Sequence, residues 1–186
     1  MTVGEKRILW VNLVTGSRLV LALPVAILTV WSRDRGWAII ASTALVVAIE
    51  LSDLIDGHLA RRHGAVSSWG KVFDPYADSV SRLIVYWSLA MVGRCLTFVP
   101  LVMAVRDVTV GYARMFMMRR GQDVSARYTG KLKAMVQGIS AIALMSGPLY
   151  WGTRGSYLVY GLSFLVAAVT LASMVDYARA ALRPSA

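Results

Sequence analysis

Cysteine is nearly missing from this chain. Cys95 stands alone among 186 residues, so no internal disulfide can form and no Cys-rich metal site exists. That lone thiol reads as a core or lipid-facing group. Charge is also scarce, at 16% of residues, and acid is scarcer than base, with ten Asp and Glu against 20 Lys and Arg. No internal repeat and no low-complexity linker divides the sequence, so residues 1–186 read as one domain. The start, MTVGEKRILWVNLVTGSRL, lacks a small-residue cleavage site after a short apolar run, and no removable signal peptide is expected. What the chain does have is apolar bulk: 57% hydrophobic residues and a mean hydropathy of +0.58. A soluble domain of this length cannot hide so much apolar surface, so lipid is the expected solvent. The net charge of +10 raises the question of nucleic acid. The basic residues are not interleaved with an aromatic platform, however, and no nucleic-acid partner is expected.

A helix crossing a ~30 Å hydrocarbon layer needs about 20 mostly apolar residues. Six stretches qualify, roughly 10–31, 37–60, 72–92, 95–117, 132–151 and 156–178. The expected architecture is all-α, an integral membrane bundle of six transmembrane helices. Asn12, Ser17 and Arg18 interrupt the first span, so residues 4–16 also suit an interfacial amphipathic segment. The connections SRDRGW, GR and GTRG are short and carry few charges, whereas the opposite ends hold EKR, ARRHGAVSSWGK and ARMFMMRRGQDVSARYTGKLK. Sixteen Lys and Arg fall on the side of the N-terminus and four (Arg33, Arg35, Arg94, Arg154) on the other. Positive charge accumulates in the cytoplasm, so both termini and the 53–78 stretch are expected there. The anionic headgroups of membrane lipids are the expected partners of the RMFMMRR cations at 114–120.

Four of the ten acids fall in one stretch, DLIDGHLARRHGAVSSWGKVFDPYAD. On helices, Asp53 and Asp56 share a face at a spacing of three, and Asp74 and Asp78 at a spacing of four. Like charges crowded at a membrane border repel, and burying each costs several kcal/mol, about what an unpaired charge commands. Hard divalent cations with all-oxygen ligands are the best neutralisers. Carboxylates from two helices suit a pair of Mg2+ or Mn2+ ions about 3.5–4 Å apart, which clamps both oxygens of a phosphoryl displacement. Gly57, Ala60 and Gly70 remove side chains beside the acids, and Arg61 adds a fork suited to phosphate oxygens. Together these residues describe a site for a metal-bound diphosphate. Glu50 shares the Asp53 face and offers a further ligand, although a helix-internal hydrogen bond is the expectation for it. A calcium-sensor loop needs D-x-D-x-D-G and a Glu at its twelfth position, which this stretch lacks.

The pattern Asp53-x-x-Asp56-Gly57-x-x-Ala60-Arg61, eight residues, then Gly70-x-x-x-Asp74-x-x-x-Asp78 resembles the signature of the CDP-alcohol phosphotransferase family. NLVTGSRLVLALP, FDPYAD, RDVTVGYAR, GKLKAMVQ and AAVTLASMVDYARAAL extend the likeness towards its bacterial phosphatidylglycerophosphate synthase branch. Two positions depart from that branch: Ser79 stands where a lysine is usual and Ala134 where a threonine is common.

The resemblance implies a six-helix enzyme of the bacterial inner (cytoplasmic) membrane, commonly a homodimer. Such an enzyme moves a phosphatidyl group from CDP-diacylglycerol to an alcohol with release of CMP. It implies Asp53, Asp56 and Asp74 as main metal ligands, with Asp78 near the second metal and acting as general base. Asp56, Gly57, Ala60, Arg61 and Gly70 would line the CDP and diphosphate pocket. The acceptor would be a small alcohol or alcohol phosphate, with glycerol 3-phosphate first and serine or inositol phosphate as alternatives. A phosphorylated acceptor needs cations of its own, and Arg106, Arg114, Lys131 and Lys133 are the candidates. Arg106 and Asp107 inside an apolar stretch are costly, which marks either function or an internal ion pair. A transporter reading would require two related halves with broken helices, and a non-catalytic scaffold would leave the acids without purpose.

Overall fold

The structure is a computed structural model. It describes the backbone of residues 3–32, 35–63, 70–120, 128–151 and 155–182, and the side chains of 16–32, 35–52, 75–120, 128–151 and 155–182. Among the described residues the chain is all-helical, with six α-helices and no strand. These are α1 (Val3–Trp31), α2 (Gly36–His63), α3 (Gly70–Met91), α4 (Phe98–Arg119), α5 (Tyr128–Ser146) and α6 (Gly155–Leu182). A short 3-10 turn, Gly147–Leu149, closes α5. The stretch 4–16, compatible by sequence with a separate interfacial segment, runs without a break into the rest of α1.

Two of the helical stretches, Tyr128–Leu149 and Gly155–Leu182, are long and apolar enough to cross a bilayer. Shorter apolar runs occupy Gly16–Trp31 and Gly36–Ser52. The side chains sort in the sense that lipid demands. Helix α4 turns Leu101, Val105, Val108, Tyr112 and Met115 outward at alternating steps of three and four, and buries Arg106 with Met103 and Val110. Helix α6 exposes Tyr160, Phe164, Leu171 and Val175 while burying Ser163, Thr170, Ser173 and Tyr177. In water this would be inside-out, because about 25 cal/mol is lost for each Å² of apolar surface left wet. Trp31 and Trp37, flanking the first connection, are both exposed, where an interfacial aromatic belt would put them.

Helix α1 packs against α2 and α3, α4 against α6, and α5 against both α6 and α2. Val25, Val46, Tyr86, Leu89, Val99, Met103, Leu144 and Val166 bring all six helices into one core. The α3–α4 connection shows how tight the turns are. Gly93 sits at φ +74°, its N–H donating to the Ala90 carbonyl while the Arg94 N–H donates to Leu89. That is the Schellman ending, which requires a left-handed residue just past the helix and therefore favours glycine. Cys95 follows within the turn, buried. Ser163 Oγ accepts the Leu96 N–H, which fixes the turn against α6. Alternating helix directions then collect the end of α2, the start of α3, the end of α4, the start of α5 and the end of α6 at the other pole.

Candidate functional site

Helices α2 and α3 carry the acid motif at this common pole. Asp53, Asp56, Gly57, Ala60 and Arg61 lie in the last turns of α2, and Gly70 opens α3 with Asp74 one turn on. The side chains of these seven residues lie outside the described ones. Asp78, one turn further along α3, is described and is partly buried.

Asp78 is held by an arginine one turn away. Arg82, itself buried, donates from Nη1 to Asp78 Oδ2 at 3.2 Å. Its other edge forms a fork to α2, with Nε to Glu50 Oε1 at 3.1 Å and Nη2 to Glu50 Oε2 at 2.8 Å. Glu50 precedes Asp53 by three residues, so one guanidinium ties together the two helix ends that bear the acids. Among the described residues, Glu50 is thus bonded to Arg82 on α3 and not, as the sequence suggested, within its own helix. Helix α5 closes the other side. A Cβ on Gly138 would lie 2.5 Å from Glu50 Oε2, and glycine alone lets the carboxylate through.

Among the described residues, no group of three or more His, Cys, Asp or Glu could hold a metal ion. The one described acid of the motif, Asp78, is of the donor type that such an ion takes. Asp78 offers hard carboxylate oxygen on the turn that follows Asp74, and Arg82 together with Glu50 brings the α2 end bearing Asp53 and Asp56 alongside. Oxygen donors on successive helical turns suit Mg2+ or Mn2+ rather than zinc.

A second polar cluster occupies the same pole between α4, α5 and α6. Arg106 Nη1 donates to Asp107 Oδ1 at 2.7 Å, and Lys133 Nζ donates to the same oxygen at 3.2 Å. Arg106 Nη2 reaches Ser173 Oγ at 2.8 Å. Tyr177 stands between two guanidiniums: Arg106 Cζ lies 5.6 Å and Arg114 Cζ 5.2 Å from its ring centre. Arg114 Nη2 also donates to the Tyr177 hydroxyl at 3.0 Å. Gly130 keeps this space open, since a Cβ there would press on Tyr177 Oη at 3.2 Å. At the mouth, Thr129 donates to Asp176 at 2.6 Å.

Of the four cations nominated for an acceptor phosphate, the structure brings together Arg106, Arg114 and Lys133. Lys131 is exposed, whereas Lys133 is buried. Residues two apart on a helix point away from each other, so Lys131 and Lys133 cannot both face the cluster. Arg106 does form the internal ion pair weighed from sequence, yet that pair does not account for the whole group. Arg106 and Lys133 share the Asp107 carboxylate while Arg114 packs on Tyr177, and among the described residues Arg106 Nε and Arg114 Nε are buried without a hydrogen-bond acceptor. Desolvating cations costs several kcal/mol per ion unless counter-charge compensates. An anion would complete the cluster.

Sequence reading missed Tyr177, Ser173, Arg82 and the role of Glu50. A signal existed for the first two. Ser163, Thr170, Ser173 and Tyr177 recur at helical spacing along an otherwise apolar α6, the mark of a helix that turns its polar stripe inward.

The family model for CDP-alcohol phosphatidyltransferases matches residues 9–175. A Treponema pallidum protein named CDP-diacylglycerol–glycerol-3-phosphate 3-phosphatidyltransferase is 36% identical over 112 residues, 60% of this chain and 52% of that one. The chain thus aligns with about half the length of the Treponema relative. A Mycobacterium tuberculosis protein named probable phosphatidylglycerophosphate synthase is 32% identical over 184 residues, 92% of this chain and 81% of that one. A Salmonella typhimurium protein with the same name as the Treponema relative is 28% identical over 152 residues, 78% and 80% of the two chains. The chain belongs to the CDP-alcohol phosphatidyltransferase family and is a transferase enzyme. Members of that family work with divalent metal ions.

Proposed function

We propose, from the premise of membership in the CDP-alcohol phosphatidyltransferase family, that this chain joins CDP-diacylglycerol to glycerol 3-phosphate. The products are phosphatidylglycerophosphate and CMP. The names of the relatives support this acceptor, and the Arg106–Arg114–Lys133 cluster supports a phosphorylated acceptor over serine. Three clustered cations, two of whose buried guanidinium N–H groups lack an acceptor among the described residues, suit a phosphate monoester dianion. Serine would instead bring an ammonium group into a cationic pocket.

In this reading Asp53, Asp56, Asp74 and Asp78 hold two Mg2+ or Mn2+ ions, and the CDP moiety lies along Asp56, Gly57, Ala60, Arg61 and Gly70. Bound divalent ions supply charge stabilisation at the transferring and leaving oxygens. Asp78 takes the proton from the acceptor hydroxyl. The acceptor oxygen then bonds to the lipid-side phosphorus as the bond to the CMP oxygen breaks, and CMP departs with the electron pair. Arg106, Arg114 and Lys133 hold the acceptor phosphate so that its hydroxyl faces Asp78. All six helices span the inner membrane of a bacterium, with the motif and both termini in the cytoplasm and two chains forming a homodimer. The outward apolar faces of α4 and α6 and the cation-rich motif pole support that placement.

The test is an acceptor panel. Protein purified in detergent is given CDP-diacylglycerol and, in turn, glycerol 3-phosphate, serine and inositol phosphate. Glycerol 3-phosphate is expected to yield lipid product and CMP in equal amounts, whereas lipid product from serine or inositol phosphate in its place would overturn the assignment. Lys131→Ala supplies an internal control. The acceptor KM is expected to stay within about twofold of wild type, as for a solvated surface cation. A larger rise would return Lys131 to the pocket.

A further inference from the structure

We infer that Glu50, Arg82 and Gly138 form a brace that sets the spacing and orientation of the two acid-bearing helix ends, with Arg82 as the positioning residue for Asp78. The inference rests on the proposed function for the role of Asp78. None of the three brace residues belongs to the acid motif, and none belongs to the cation cluster.

Arg82 uses both edges of its guanidinium. One edge makes the fork to Glu50 on α2 and the other holds Asp78 Oδ2 on α3. A planar group fixed at three N–H donors leaves its partners little rotational freedom, which lysine could not reproduce. Glu50 and Asp78 each sit one helical turn from an acid of the motif, Asp53 and Asp74 respectively. Fixing the first pair across the helices therefore sets the register of the second.

Helix α5 is keyed to the same brace. Gly138 admits the Glu50 carboxylate against its backbone. The preceding residue, Gln137, accepts the Tyr86 hydroxyl of α3 on its carbonyl at 2.8 Å. Gln137 also donates from Nε2 to Thr170 of α6 at 3.0 Å. Lys133 lies five residues before Gly138, about 7.5 Å along the helix axis. The brace thus holds the acceptor cations at a fixed height relative to the proposed base. Groups that orient metal ligands without touching the metal typically change affinity or activity by about 10- to 100-fold when removed.

The test compares Glu50→Gln, Arg82→Gln, their double variant and Gly138→Ala in the full-length protein in detergent. Steady-state turnover is measured with CDP-diacylglycerol and glycerol 3-phosphate, and Mn2+ affinity is measured separately by electron paramagnetic resonance without substrate. Each single variant is expected to lower kcat by about 30-fold and to weaken Mn2+ binding by about tenfold, with the donor KM within about threefold. Gly138→Ala should also raise the acceptor KM. The double variant should be no worse than Arg82→Gln alone, because both changes remove one device. Variants that melt earlier but keep wild-type kcat and Mn2+ affinity per folded molecule would overturn the inference and make the brace packing alone. If Arg82→Gln does not fold, the near-isosteric Glu50→Gln decides the matter. Loss of the folded state in both would likewise reduce the brace to packing. A wild-type protein that forms no glycerol phosphate product sinks the proposed function, whereas an active wild type with unaltered Glu50→Gln sinks only the brace.

Discussion

Asp78→Asn is expected to lower CMP release by about 10³-fold or more at unchanged thermal stability. The size follows from the two roles proposed for one carboxylate. General-base assistance is worth about 10²- to 10⁴-fold, and a ligand to a bound divalent ion adds to that. The fold should survive because the amide keeps the side chain's shape and its oxygen can still accept from Arg82 Nη1, which lies 3.2 Å from Asp78 Oδ2. Asp74→Asn should behave similarly. Chromatographic assay of CMP in purified variants checks both, and turnover near wild type in either would remove that residue from the chemistry.

Lys133→Met has the second largest expected effect, and it falls on a different parameter. Methionine fills the same channel as an unbranched helix former, so α5 should remain intact. The loss is one charge-assisted contact to the acceptor phosphate, about 1.5–3 kcal/mol, or roughly 10- to 150-fold at 1.4 kcal/mol per decade. The acceptor KM should rise by that factor while the donor KM stays put. Arg106→Lys should give a smaller rise: the charge is kept, but the bond to Ser173 and the stacking on Tyr177 are lost. An acceptor KM unaltered in both variants would leave the cluster as an internal ion-pair network with no part in recognition.

How much of this could be read from the chain alone depended on the range of the interaction. The helices were legible because their signal is local. Long apolar runs separated by SRDRGW, GR and GTRG mark α1 to α6, and the observed bounds differ from the expected spans mainly at the polar ends. Helix α5 starts at Tyr128, a turn before the apolar run begins, and α6 continues to Leu182 past its end. The helical placement of the acid motif was legible, since Asp53 and Asp56 fall on α2 and Asp74 and Asp78 on α3 as their spacing requires.

The Glu50–Arg82 pair was not legible. Its members stand 32 residues apart, and nothing local distinguishes Glu50 from an acid bonded within its own helix. Lys131 and Lys133 look equivalent in GKLK, and only the rotation of α5 about its own axis decides which one is buried. Gly138 sits in an unremarkable VQGIS, and its need for glycine emerges only when a carboxylate from another helix arrives within 2.5 Å of where a Cβ would stand. Tyr177 and Ser173 fall between these cases, since their spacing announced an inward face without saying what it meets.

Diffraction from crystals grown with Mn2+ and CDP-diacylglycerol, recorded at the manganese absorption edge, bears most directly on the idea that paired acids on α2 and α3 share divalent ions over a diphosphate. Two anomalous peaks about 3.5–4 Å apart, each within bonding distance of carboxylates from both helices, are the expected result. Full donor density with no manganese between Asp53, Asp56, Asp74 and Asp78 would contradict it.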